Sequence, residues 1–301
     1  DLLSAEVGGR RVVPSIGLAN VYRQSGDSLI ATGAALICRG EIPELGPGDR
    51  GGVSFLELPP QAIADEIERL VCEILPAQGR DPLRDVAVLV PQAPGRAGAW
   101  EINRRLSARL NPDGAAIPGV SRGRDDDPRM PVPRVGDRVM LTENDPDNDV
   151  MNGDVGVVTG ACRTAAGRPA FRVRFDCGAK VEYPASRWRK LILAYAGTVH
   201  KSQGSQYPVV ILPFAGAHAR MLERALVYTG WTRARERLHL VGERSAFVKA
   251  VETWRGDERL TLIRRFLGSL RPGSLERPGR TDWEALAAEA QAACEAARRR
   301  M

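Results

Sequence analysis

The sequence predicts an α/β fold: a parallel sheet flanked by helices, with a small β-barrel inserted into it. Two observations predict this. Short, nearly continuous apolar runs, "DVAVLVP" (85–91) and "PVVILPF" (208–214), alternate with segments of helical periodicity, and such runs suit strands covered on both faces. Between them, residues 136–184 change period and read as consecutive short strands separated by turn signals. At 301 residues and 43% hydrophobic content, the chain has ample material for a packed core.

In chain order, "DSLIATGAALICR" (27–39) carries apolar positions at helical spacing, and Gly40 follows as a stop signal. Residues 60–75 repeat the pattern, with Ile63, Ile67, Leu70, Val71 and Ile74 on one face. The run 85–91 is a buried strand, and 98–112 is a helix ending at Asn111-Pro112. Residues 113–134, rich in Gly, Pro, Asp and Arg, form a loop. The strands expected in the barrel are 136–144, 153–161, 169–177 and 180–184, with Asn152-Gly153 as a tight turn. The α/β style returns near 190, with a strand at 208–214, a helix at 219–234, a strand at 237–242 and helices at 245–254, 258–268 and 283–300. Cys38 and Cys72 fall on apolar helical faces and are expected in the core.

The net charge of +6 favours an anionic partner, nucleic acid being the commonest. Five cysteines without a CxxC pair argue against a zinc site or a disulfide framework, and reduced thiols fit a cytoplasmic setting. No apolar run reaches the length of a membrane span, so no membrane partner is expected. The chain opens on Asp1 in "DLLSAEVGG", which reads as the middle of a longer protein. "DPDNDVMNGD" (145–154) has alternating acids, but Val150 stands where a calcium loop needs glycine, so a hairpin loop is the better reading; no metal site is expected.

Three stretches carry candidate chemistry. "GTVHKSQGSQYPVVILPF" (197–214) holds a Lys-Ser pair beside glycines, but His200 occupies the position of the second phosphate-loop glycine. It is therefore not a Walker loop, and no G-x-x-x-x-G-K-[ST] occurs in the chain. Read as a helix, it would place Thr198 and Ser202 on one face. "ALVYTGWTRARERLHLVG" (225–242) sets Arg233, Arg235 and Arg237 between a helix and a strand, where an arginine can be aimed at a nucleotide's γ-phosphate. "VYRQSGDS" (21–28) places Arg23 and Gln24 before a helix. Each stretch alone also reads as a polar loop, a solvated helix end or a surface turn.

Taken in order, the three resemble motifs IV, V and VI of a superfamily 1 helicase, closest to the RecD-like, 5′-to-3′ DNA helicases. The likeness extends through "VAVLVPQAPGRAGAWEINRRLSARLNP" and "GDRVMLTENDPDNDVMNGDVGVV", and so over nearly the whole chain to about residue 245. It implies a second RecA-like motor domain, lacking its own Walker A motif, at 1–132 and 189–245. An Src-homology-3-like barrel would be inserted at 133–188, and a helical tail would occupy 246–301. It further implies that Arg23 and Arg233 reach the γ-phosphate as catalytic residues, and that Gly204 and Gln206 face the nucleotide. Gln206 stands where the family pattern has an acid; its amide can still bond a ribose hydroxyl.

Thr198, His200 and Lys201 would line the single-strand DNA channel, joined by Gln92, Arg96 and Asn103. The cofactors implied are ATP and Mg²⁺, held mainly by an N-terminal motor domain of the same protein. Subunits of a nuclease–helicase complex are further partners the family suggests. On this reading the chain alone has no ATPase. The competing reading is a non-catalytic nucleic-acid-binding module built around the small barrel, which explains the basic charge but not the order of the motifs.

Overall fold

The computed structural model describes residues 28–255 except Pro47, 124–126 and 128–129, together with a short antiparallel pair, β1 (Glu6–Val7) and β2 (Arg10–Arg11). Arg23 and the expected helices at 258–268 and 283–300 lie outside the described residues.

The helix expected at 27–39 is α1 (Leu29–Arg39). Ser28 caps it by accepting the Ile30 N–H, and Gly40 ends it at φ 82°, the left-handed conformation glycine adopts without penalty. Strand β3 (Val53–Glu57) follows. Next come α2 (Ile63–Arg69), a π-helical segment at Leu70–Ile74 and the short α3 (Leu75–Ala77). Strand β4 (Val86–Val90) is buried throughout, and α4 (Ala99–Leu110) closes the first half.

After the inserted strands come β10 (Ala196–Thr198), β11 (Tyr207–Phe214), α5 (Arg224–Trp231), β12 (Ala234–Gly242) and α6 (Arg244–Glu252). Helix α5 is shorter than the expected 219–234. The five strands form a wholly parallel sheet in the order β10-β4-β11-β12-β3.

The sheet separates two cores because side chains alternate along each strand. Val86, Val88, Val90, Val209 and Ile211 pack with Ile63, Ile67, Ile102 and Leu106 of α2 and α4. Ala87, Leu89, Val210, Leu212 and Phe214 pack with Ile30, Leu226, Trp231 and Phe247 of α1, α5 and α6. Full burial of each large apolar side chain contributes about 1.5–3 kcal/mol. Trp231 also donates to the Ile30 carbonyl at 2.8 Å. A Cβ on Gly33 would stand 2.4 Å from the Trp231 ring, so α1 and α5 approach at a spacing only glycine permits.

The insertion lies between α4 and β10. Strands β5 (Arg138–Leu141), β6 (Val155–Arg163), β7 (Pro169–Phe175), β8 (Lys180–Pro184) and β9 (Leu191–Leu193) form an antiparallel sheet in the order β8-β7-β6-β5-β9. The expected four strands are present, with two differences. Among the described residues no ladder joins β8 to β9, so the sheet is not closed into a barrel by hydrogen bonds; a 3₁₀ segment, Ala185–Lys190, carries the chain between these outer strands. The antiparallel sheet also extends past the expected limit of 188, because Leu191–Leu193 pairs with β5. "LIL" is an apolar run with no alternation to betray its sheet. Val158, Phe171, Val173, Tyr183 and Trp188 of the insertion share one continuous core with α2 and α4.

Two further expectations are corrected. Cys38 is exposed, and Cys72 is only partly buried. On α1 the buried positions are Ile30, Gly33 and Ile37, and Cys38 lies one residue past that stripe.

Candidate functional site

Parallel pairing decides which candidates meet. Gly204–Gln206 immediately precede β11, and Arg233 immediately precedes β12. These strands are parallel neighbours with Tyr207 opposite Ala234, so both loops emerge at the amino-terminal edge of the sheet. The junction is knitted by hydrogen bonds. Tyr207 N–H donates to the Arg233 carbonyl at 2.9 Å. The half-buried Arg233 guanidinium donates from Nη1 to Ser205 O (2.9 Å), from Nε to Thr229 O (3.0 Å) and from Nη2 to Thr232 Oγ1 (3.1 Å). All three acceptors are neutral. Arg233 is thus aimed by carbonyls and a hydroxyl, and its positive charge is not cancelled by any carboxylate among the described residues.

Gly204 adopts φ 89° in the turn closed by Ser205 N–H on Ser202 O, with open space where a side chain would project. Gln206 is exposed beside it. Arg235 is exposed, whereas Arg237 donates to Gln78 Oε1 at 3.0 Å.

Thr198 lies at the other end of the sheet, as the last residue of β10 and level with Val90, the last of β4. From there the chain returns through a 3₁₀ turn, Val199–Ser202, rather than a helix containing Thr198. Ser202 is buried and donates to Val199 O at 2.7 Å, so its hydroxyl is spent locally. His200 is exposed. Lys201 and Thr198 line a crevice of about 70 Å³ along the free side of β10, with Tyr207, Arg84, Met140 and Ile192 among its other walls. Lys201 is exposed by area, yet the surrounding protein desolvates its ammonium and draws its pKa below the ordinary lysine value.

The remaining channel candidates divide. Gln92, just beyond β4, donates to Pro94 O at 3.2 Å. Arg96 is exposed and lines a separate, open cleft of about 690 Å³ beside α4. Asn103 is a correction. It is 3% exposed, and its amide is spent on the backbone: Nδ2 donates to Ala196 O (2.8 Å), while Oδ1 accepts from Tyr195 N and Ala196 N (2.9 Å each). It cannot present that amide to a nucleic acid. Asn103, Ser107 and Asn111 recur every fourth residue and therefore share one face of the helix, but that spacing alone does not say whether the face meets solvent or protein.

With this geometry established, comparison with known proteins gives three results. Residues 193–241 match the UvrD-like helicase C-terminal domain. The chain is 33% identical over 255 residues to the ATP-dependent RecD2 DNA helicase of Deinococcus radiodurans, covering 85% of this chain and 32% of that protein. It is 36% identical over 118 residues to the RecBCD enzyme subunit RecD of Mycolicibacterium smegmatis, covering 39% of this chain and 20% of that one. The chain therefore spans about a third or less of the length of these relatives. Among solved structures, a Bacteroides Pif1 helicase in complex with ADP-AlF3 and ssDNA aligns with a TM-score of 0.49 at 16% identity, over 84% of this chain and 57% of that one.

Residues 193–241 are thus similar to a helicase C-terminal domain of the UvrD-like type, and this segment contains β10, β11, α5 and nearly all of β12. More narrowly, the chain is a homologue of the RecD-like DNA helicases, related to RecD2 over most of its length.

Proposed function

We propose that this chain supplies the second motor half of an ATP-dependent, 5′-to-3′ RecD-like DNA helicase. Its part in ATP turnover is to deliver Arg233 to the γ-phosphate of a nucleotide bound against an N-terminal motor domain. The observation that carries this reading is the Arg233 guanidinium, fixed by three neutral acceptors beside Gly204–Gln206 and meeting no carboxylate among the described residues. A guanidinium so held can stabilise charge developing on a transferring phosphoryl group without reorganising first. Gln206 is assigned to a ribose hydroxyl of the nucleotide, and Arg23 to the same phosphate as a second finger. Guanidinium, amide and glycine backbone suit phosphate and sugar oxygens. None is a carboxylate, so Mg²⁺ is assigned to the other motor domain.

Thr198, His200 and Lys201 hold the single strand, with Gln92 and Arg96 as outer contacts. Binding there is mainly to phosphates and indifferent to sequence. ATP binding closes the two motors, hydrolysis reopens them, and the strand advances. Complex-forming subunits of the nuclease type are the further partners this reading admits, and it places the protein in the cytoplasm.

The test is Arg233→Ala in the intact protein. ATP turnover is expected to fall by about 10³-fold or more, in line with the contribution of an arginine finger, while single-stranded DNA affinity stays within about threefold. Equal loss of both would refute the finger role.

A further inference from the structure

The seam between the inserted sheet and the parallel sheet is polar at its centre. The Asp137 carboxyl is fully buried and collects four donors. Ser107 Oγ (2.8 Å), Asn111 Nδ2 (2.9 Å) and Tyr195 Oη (2.9 Å) reach Oδ1, and Arg134 N–H (2.7 Å) reaches Oδ2. The Arg134 guanidinium caps the carboxyl end of α4 through Ser107 O (3.1 Å) and Asn111 O (2.7 Å). Two turns earlier on the same helix face, Asn103 clamps the backbone of Tyr195 and Ala196, where β10 begins. One helix stripe (Asn103, Ser107, Asn111) therefore bonds both the first residues of the insertion and the residues that leave it for β10.

We infer that Asp137, Tyr195 and Asn103 are positioning residues that lock the inserted sheet, α4 and the start of β10 into one rigid body, and so set the place of Thr198–Lys201. Apolar contacts tolerate sliding, whereas a buried carboxyl with four directed donors is satisfied in one register only. Burial and the Asp137 carboxyl push the Tyr195 hydroxyl pKa up, which keeps it a donor to that carboxyl. The chain from Ala196 to Lys201 has no slack: β10 is three residues long, and the 3₁₀ turn follows at once. A shift at Tyr195 is therefore carried directly to Thr198.

The consequence for DNA rests on the helicase reading; the mechanical claim does not. The test uses Asp137→Asn and Tyr195→Phe in the intact protein, with Asn103→Ala as a third variant should Asp137→Asn fail to fold. Hydrogen–deuterium exchange at the amides of residues 195–202 is expected to quicken by about tenfold, with β12 unchanged. No change at 195–202, or uniform acceleration everywhere, would overturn the inference.

In the same proteins, the single-stranded DNA concentration giving half-maximal ATPase is expected to rise about fivefold at an unchanged maximal rate. If local exchange quickens and the half-maximal concentration does not move, the seam does not position the DNA residues, and that half of the inference falls. A wild-type protein without DNA-stimulated ATPase would overturn the helicase reading instead, leaving the exchange result to judge the seam.

Discussion

Two regions of this protein are rich in arginine, and they use it in opposite ways. Along the flank formed by α2, the π-helical segment and α4, every arginine has a carboxylate partner. Arg105 meets Asp65 and Glu68, Arg109 meets Glu68 and Glu73, Arg69 meets Glu66, and Arg104 meets Glu101. Just before β12, Arg233 meets only carbonyls and a hydroxyl among the described residues. Both sets are ordered, but the first is neutralised where it stands, and the second holds a guanidinium in place without cancelling its charge. The flank arginines bind the protein to itself, whereas Arg233 meets no carboxylate among the described residues, which is what the proposed phosphate role requires. The number of arginines in the sequence says nothing of this difference; the partners do.

The contrast can be broken most sharply at Arg233. Arg233→Lys keeps the charge but cannot span three fixed acceptors, so steady-state ATP turnover by the intact protein is expected to fall by about a hundredfold or more. A lysine variant with near wild-type turnover would reduce the site to simple charge. Lys201→Ala comes next. Single-stranded DNA affinity measured across a salt series should weaken several-fold, and the slope of log K against log salt should become shallower by about 0.7, the value for one phosphate contact. An unchanged slope would remove Lys201 from the strand.

On the flank, Arg105→Ala should lower the thermal midpoint by only a few degrees, consistent with about 1 kcal/mol for a partly exposed network, with ATP turnover unaltered. A large loss of turnover there would erase the distinction between the two regions.

The smallest effect is with pH. Burial lowers the pKa of His218 and His239 below the ordinary value of 6.5. As pH falls below 6.5 the unfolded chain takes up these protons before the folded one, so stability is greatest above that value and declines on acidification. Melting temperatures recorded from neutral to mildly acidic pH should fall, and less steeply in His218→Leu; a flat profile would contradict the burial of these rings.

Much of the fold was legible because its signals are local. The buried runs at 85–91 and 208–214, the Gly40 stop signal and the change of period after residue 135 each follow from residue type and spacing. Strand β3 was not anticipated. It is an edge strand whose burial alternates and fades, and it is preceded by a Gly-rich turn that masks its period. Within the candidate site, it was the resemblance to helicase motifs V and VI that grouped Gly204, Gln206 and Arg233, and parallel pairing sets their two loops side by side. The resemblance was not enough for Asn103, because an asparagine facing solvent and one clamping buried backbone look alike until the neighbouring strand is in place. The Asp137 seam was equally hidden, since its donors come from three separated stretches of chain: the end of α4, Arg134 and Tyr195.

Only Ala194 and Tyr195 separate β9, in the antiparallel sheet, from β10, in the parallel one. An insertion joined so tightly is not a cassette. Lengthening this two-residue bridge by one would turn Tyr195 to the opposite side of the chain and strand the Asp137 carboxyl without its phenol. Attempts to exchange the inserted sheet between relatives should therefore succeed only when α4, the Arg134–Asp137 segment and the bridge travel with it as a single graft.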